Sequence, residues 1–316
     1  MDKKKLVILT GPTAVGKTEL SIALAKAING EIISADSIQV YKYMDIGSAK
    51  IMPDEMQGVK HYLVDELMPD EEFNIVEFKN RALMAMNEIY AKGKIPIVVG
   101  GTGFYIQGLL YDVDFEESEA DTEYRKECEI IAAAKGNDFL HNMLKEVDKK
   151  AAESIHANNV KRVIRALEYF KQTGKKISEH NEEQRQNESP YDFNYFVLNN
   201  DRGILYKRID KRVDMMVNDG LVDEVVRLKR MGYGRELLSM QGIGYKEIYA
   251  FLEGEISLEG AIDLIKKDTR HFAKRQLTWF RREKKVTFVD YRDFADDKTK
   301  MLEFMINEIN GSAERK

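Results

Sequence analysis

The chain has 316 residues, 43% of them hydrophobic, and a net charge of -5, which suits a soluble globular protein with a real core. Its single cysteine, Cys128, excludes an internal disulfide and any multi-cysteine zinc site, and implies a reducing compartment. The apolar run behind the charged start is only Leu6 to Leu9, too short for a signal-peptide core or a membrane span, so a cytoplasmic protein is expected.

Leu6-Val7-Ile8-Leu9-Thr10 reads as a buried strand, and Glu31 to Ser34 and Ile95 to Val99 read the same way, short, apolar and β-branched. Helical stretches lie between them, Glu19 to Ile28 and Phe73 to Lys92. The second closes on a basic last turn and Gly93 as a C-cap. Alternation of this kind implies an α/β fold with a parallel sheet flanked by helices. Tyr195 to Leu198 and Val286 to Val289 are later strands that complete it. From about Glu119 to Ser189 no strand pattern occurs, and charged helical runs such as Val160 to Lys171, closing near Gly174, take over. That stretch is expected to be a helical insertion, residues 119–189, within a core of residues 1–118 and 190–316. It carries Lys161, Arg162, Arg165, Lys171, Lys175, Lys176 and Arg185.

At the end of the first strand stands Gly11-Pro12-Thr13-Ala14-Val15-Gly16-Lys17-Thr18, a full G-x-x-x-x-G-K-[ST] match between a strand and a helix. The fold class is therefore P-loop NTPase-like. The glycines let backbone N–H groups wrap a phosphate, the helix N-terminus adds its positive end, Lys17 supplies a charge and Thr18 can hold Mg²⁺. Most P-loops serve ATP or GTP. Here, however, the strand Ile95 to Val99 ends in Gly100-Gly101-Thr102 instead of an acidic residue, and no arginine-rich lid of the small-kinase type is evident.

Asp36, behind the second strand, belongs at the same sheet edge. Its position suits a helix N-cap, a magnesium ligand or a general base. Arg208 and Arg212, four apart on one helix face, suit either a pyrophosphate clamp or pairing with Asp210 and Asp214. From Lys266 to Lys285 nine Lys and Arg face two acids, a local charge of +7 that leaves -12 on the rest of the chain. Such a segment is either an anion-binding face or a solvated helix face.

Taken together these segments resemble the bacterial tRNA dimethylallyltransferases, the tRNA isopentenyltransferases, nearly end to end. The resemblance is carried by the P-loop, by Asp36-Ser37-Ile38-Gln39-Val40-Tyr41, Met44-Asp45-Ile46-Gly47-Ser48-Ala49-Lys50 and Ile97-Val98-Val99-Gly100-Gly101-Thr102-Gly103, and further along by Arg165-Ala166-Leu167-Glu168, Gln241-Gly242-Ile243-Gly244-Tyr245-Lys246 and Lys274-Arg275-Gln276-Leu277-Thr278-Trp279-Phe280-Arg281. Ser48 departs from the family's usual Thr, and Ile51-Met52 separates Lys50 from Pro53.

The resemblance implies transfer of a dimethylallyl group from its diphosphate to N6 of the adenine 3' of the anticodon, with release of diphosphate. By resemblance Asp36 is the base and Lys17, Thr102 and Arg208 act with it, while Gly11 to Thr18 hold the donor and Thr18 a Mg²⁺ ion. Asp36, Ser37, Ile38, Gln39, Thr102, Arg125, Lys161, Arg162, Val163, Ile164, Arg165 and Gln241 to Lys246 contact the tRNA. The insertion would clamp the anticodon stem-loop, and the protein would act as a monomer. Eukaryotic relatives add a zinc finger that one cysteine cannot build. A small-molecule P-loop kinase and a nucleotide-gated RNA-binding protein are the alternatives; the first predicts ATP turnover, the second no product.

Overall fold

β1 (Lys4–Thr10) runs from a charged start into Leu6, Val7, Ile8 and Leu9, all fully buried. A parallel strand covered on both faces reads as such a continuous apolar run, not as an alternation. In chain order there follow α1 (Lys17–Ala27), β2 (Gly30–Ala35), β3 (His61–Tyr62), α2 (Ile75–Ala91), β4 (Ile95–Gly100) and α3 (Gly103–Leu110). A helical stretch comes next: α4 (Thr122–Lys135), α5 (Asn137–Val147), α6 (Lys149–Ser154), α7 (Val160–Thr173) and α8 (Ile177–Gln184). The chain then returns with β5 (Tyr191–Asn199), α9 (Arg202–Asn218), α10 (Leu221–Arg230), α11 (Tyr245–Leu252), α12 (Leu258–Phe280), β6 (Val286–Asp290) and α13 (Lys298–Glu314). This computed structural model describes residues 3–113, 122–184 and 187–314. The expected insertion boundary at Glu119 and the basic residue Arg185 lie outside them.

The chain divides into two compact units, Met1–Leu110 with Pro190–Lys316, and Tyr111–Ser189. In the first, six strands form one sheet in the order β3-β2-β4-β1-β5-β6, every pair parallel. Five of these strands are predicted from their apolar runs. β3 is not, because two residues have no period to read. It nonetheless explains the charged Glu31 inside a wholly buried strand. Tyr62 donates its hydroxyl proton to the Glu31 carboxylate at 2.8 Å, and Lys92 and Lys94 complete the pairing at 3.1 and 2.7 Å.

Register decides where the loops leave the sheet. Thr10 on β1 and Ala35 on β2 both pair with Gly100 on β4. The loops after these three adjacent strands therefore start from one level, at the carboxyl edge where open α/β sheets bind ligands. α1 begins at Lys17, two residues before its expected start, so the helix opens directly out of the phosphate-loop sequence.

The second unit packs α4, α5, α6 and α7 around Cys128, Leu140, Leu144, Val163, Ile164 and Leu167. Asp148 caps α6 by accepting the Ala151 N–H and also takes the Ser178 N–H and hydroxyl, which ties α8 to α6.

Candidate active site

The loop Gly11–Thr18 is built on backbone that ordinary residues avoid. Gly11, Ala14 and Gly16 all have positive φ, and Gly16, at +104°, is the N-cap of α1 without any side chain to cap it. The first N–H groups of α1 are thus left to a ligand, with the helix dipole behind them. The Lys17 ammonium folds back onto the loop, donating to the carbonyls of Gly11 and Pro12 at 2.8 and 2.9 Å. Its pKa falls to about 7, through burial first and the neighbouring Arg212 charge second, with Asp36 opposing both. Arg212 is itself lowered by burial and has no ion pair among the described residues. Two cations held close together, each short of solvent, make a site that gains from an incoming polyanion.

Arg208 takes a different place. Its guanidinium lies 5.5 Å from the centroid of the Tyr291 ring. The Tyr291 hydroxyl in turn packs on the loop, 2.6 Å from where a Cβ on Gly16 would stand. Of the two arginines, Arg212 is the one whose charge acts on Lys17.

Asp36 follows β2 directly. Its Oδ1 accepts the N–H groups of Ile38 at 2.9 Å and Gln39 at 3.3 Å, the local turn that an Asp at this position favours. Burial raises its pKa, against the pull of those two hydrogen bonds and of Lys17. Thr102 stands beside it, its N–H donating to the carbonyl of Ala35 at 3.2 Å. The structure therefore brings Lys17, Arg212, Asp36 and Thr102 to one edge of the sheet.

The Asp36–Gln39 segment is braced from behind. Gln39 donates to the carbonyls of Ser48 and Ala49. The loop Asp45–Gly47 is held by the buried Glu224, whose carboxylate accepts the N–H groups of Asp45, Ile46 and Gly47 and the Tyr245 hydroxyl. Tyr245 is fully buried and sits with Gly244 inside the unit, whereas Gln241 is exposed and Lys246 pairs with Asp268 at 3.3 Å. The motif Gln241–Lys246 thus has a surface end and a packing end.

In the helical unit α7 divides the same way. Lys161 and Arg162 are exposed, while Val163 and Ile164 belong to its core. Arg125 and Arg165 are organised by one buried carboxylate: Glu168 accepts two hydrogen bonds from Arg125 at 2.7 and 2.9 Å and one from Arg165 at 2.9 Å. Sequence reasoning named both arginines as site residues and quoted Glu168 only as part of a motif, without the role of aiming them.

The basic run Lys266 to Lys285 lies mostly on α12 and is not uniform. Lys266 pairs with Asp214 at 2.6 Å and Arg270 pairs with Asp210. Lys274, Arg275 and Arg282 have no ion pair among the described residues. With His271, Thr278 and Trp279 they line a cavity of about 390 Å³. Positive charge left unpaired around a cavity is what an anionic partner requires.

Among the described residues no group of three or more His, Cys, Asp or Glu side chains could cage a metal. Exposed Thr18 on the first turn of α1 offers one hydroxyl. That donor set fits a hard cation that takes most of its ligands from substrate oxygens and water. No helix among the described residues is long and apolar enough to cross a membrane.

Comparison with known proteins identifies the family. A family profile described as "IPP transferase" matches residues 39–283. The chain is 65% identical to the tRNA dimethylallyltransferase of Lachnoclostridium phytofermentans over 95% of its own length and 96% of the relative's. Among solved structures, it is similar to the tRNA isopentenylpyrophosphate transferase of Bacillus halodurans, with 43% identity, a TM-score of 0.74 and coverage of 99% of each chain. It is also similar to a eukaryotic dimethylallyltransferase acting on tRNA, at 32% identity and a TM-score of 0.77, over 91% of this chain and 74% of the other. The chain belongs to the IPP transferase family.

Proposed function

We propose that the protein is a tRNA dimethylallyltransferase, moving the dimethylallyl group of dimethylallyl diphosphate to N6 of the adenine 3' of the anticodon. The observation that carries the reading is the meeting of a diphosphate cradle, Lys17 with Arg212, and a half-buried carboxylate, Asp36, at one sheet edge. β4 ends there in Gly100-Gly101-Thr102, without the acid of an ATP-splitting site.

In this mechanism the N6–C bond forms as the C–O bond to diphosphate breaks. The adenine amine is a weak nucleophile, and Asp36 takes its proton. The leaving diphosphate is met by Lys17, Arg212, Arg208 and the loop N–H groups, which stabilise the charge that grows on it. Thr18 would hold a Mg²⁺ ion, which would supply further charge neutralisation to the leaving group. Thr102, next to Asp36, helps to hold the adenine.

The adenine has to leave its stack before Asp36 can reach N6. The exposed Gln241, Lys161 and Arg162, with Arg125 and Arg165, would contact the anticodon stem-loop, together with Ser37, Ile38 and Gln39. The helical insertion expected over residues 119–189 would act as the clamp, and the enzyme would work as a cytoplasmic monomer. Lys274, Arg275 and Arg282 would meet phosphates, so Lys274→Ala with Arg275→Ala is expected to reduce the salt slope of tRNA binding by about 2 in log–log form. An unchanged slope would remove this face from the RNA interface.

Lys17 gives a pH signature. At about pH 8 the free protein holds it mostly neutral, given its pKa of about 7, and a bound polyanion returns it to the charged state. Calorimetry in buffers of different ionisation enthalpy should show pyrophosphate binding with more proton uptake than in Lys17→Met. The affinity of the wild type should fall as pH rises through about 7. Equal uptake by the two proteins would show that Lys17 does not meet the anion.

The direct test is transfer of labelled dimethylallyl diphosphate to unmodified tRNA, with Mg²⁺ and without ATP. Label in tRNA supports the reading. ATP turnover without label would restore the kinase reading.

A further inference from the structure

Gln276 lies on α12 beside the cavity-lining Lys274 and Arg275, yet it is 6% exposed. Its Oε1 accepts the Thr13 backbone N–H at 2.9 Å, and its Nε2 donates to the Gly101 carbonyl at 3.0 Å. Thr13 belongs to the loop that cradles diphosphate. Gly101 precedes Thr102, whose own N–H is bonded to Ala35, the neighbour of Asp36. One side chain therefore joins the donor side of the site to the acceptor side. A carboxamide suits this place because it presents a carbonyl acceptor and an amide donor on one plane.

Gly101 carries a matching mark. A Cβ there would stand 2.1 Å from Gln276 Nε2, and the other atoms near it are that side chain's own Cδ at 3.3 Å and the Gly11 carbonyl oxygen at 3.9 Å. Its φ is not positive. The glycine is needed to admit Gln276, and not by its own backbone conformation.

We propose that Gln276 is a positioning residue that fixes the phosphate loop against the Gly101–Thr102 turn, and so sets the spacing between prenyl diphosphate and adenine. This rests on the dimethylallyl-transfer reading. Gln276→Leu is expected to lower kcat about 100-fold while KM for dimethylallyl diphosphate and for tRNA stays within about threefold. Gln276→Glu, nearly the same size, can accept from Thr13 but at neutral pH has no proton for Gly101. Its kcat relative to wild type should rise as pH falls, and it carries the test if the Leu variant does not fold.

Gly101→Ala alone should be as damaging as Gln276→Leu. Added to Gln276→Ala, which clears the space, it should cost no more than about threefold further. Hydrogen exchange reads the contact without activity: the Thr13 N–H should exchange at least about tenfold faster in Gln276→Leu. A kcat for Gln276→Leu within about twofold of wild type, unaltered Thr13 exchange, a flat pH ratio for Gln276→Glu, or an additive double variant overturns the proposal. Wild-type protein that transfers no dimethylallyl group overturns the functional reading instead, and Thr13 exchange then decides the positioning role by itself.

Discussion

Asp36→Asn is expected to lower kcat for dimethylallyl transfer by about 10³-fold and to leave tRNA affinity within about threefold. Asn is the informative substitution because it separates the turn that Asp36 is seen to hold from the base role proposed for it. Its Oδ1 holds the turn through the N–H groups of Ile38 and Gln39, and an amide oxygen can keep those bonds. What an amide cannot do is accept the N6 proton. Burial, which raises the Asp36 pKa, makes it a better base than a solvated carboxylate, and Lys17 limits the effect. With Asp36 as the base the ionised form is the active one, so kcat/KM should fall as pH drops through that raised pKa. Stopped-flow or quench measurements of label transfer, set beside filter binding of unmodified tRNA, give both numbers. A matched loss of binding and rate would make Asp36 an adenine anchor, with no part in proton transfer.

Lys17→Met is expected to cost about 10²- to 10³-fold in kcat and to raise KM for dimethylallyl diphosphate, with tRNA affinity unchanged. The lysine now donates to the carbonyls of its own loop, an arrangement a diphosphate would replace. The replacement is favourable because the ammonium is desolvated where it stands. Arg at this position should not restore the rate, since a planar guanidinium cannot fold back into the turn as a compact ammonium does. Retention of more than about a third of the wild-type kcat in Lys17→Met would show that Arg212 and Arg208 suffice for the leaving group.

The parts of this site visible in the sequence are those that act through their neighbours in the chain. Gly11 to Thr18 can be read because strand, glycine turn and helix are consecutive. Asp36 and Gly100-Gly101-Thr102 can be placed because each ends a short buried strand. The sequence does not show which residues reach these loops from far away. Gln276 meets Thr13 from 263 residues away, and Glu224 meets Asp45 from 179. Nothing local distinguishes either from an ordinary polar residue on a helix. Arg212 could not be told from Arg208 until the fold set one of them against Lys17. The family motifs mark Val163, Ile164 and Tyr245 without saying which way they face, and all three are buried. Helical period would have separated Val163 and Ile164 from Lys161 and Arg162, since they occupy opposite faces of α7.

Because the strand order places β1 between β4 and β5, synthesis on the ribosome meets a particular hazard. When β1, α1, β2 and β4 have emerged, β1 still lacks the neighbour on its other side until Tyr191–Asn199 follows, after the whole helical unit has been made. Through that interval a strand with the apolar run Leu6 to Leu9 has an open edge, the kind of surface that pairs with other chains. Residues 1–189 expressed alone should therefore be insoluble, and ribosome-bound chains should require a chaperone until β5 is out. The phosphate loop would wait longer still, since the α12 residue that grips Thr13 is translated after β5.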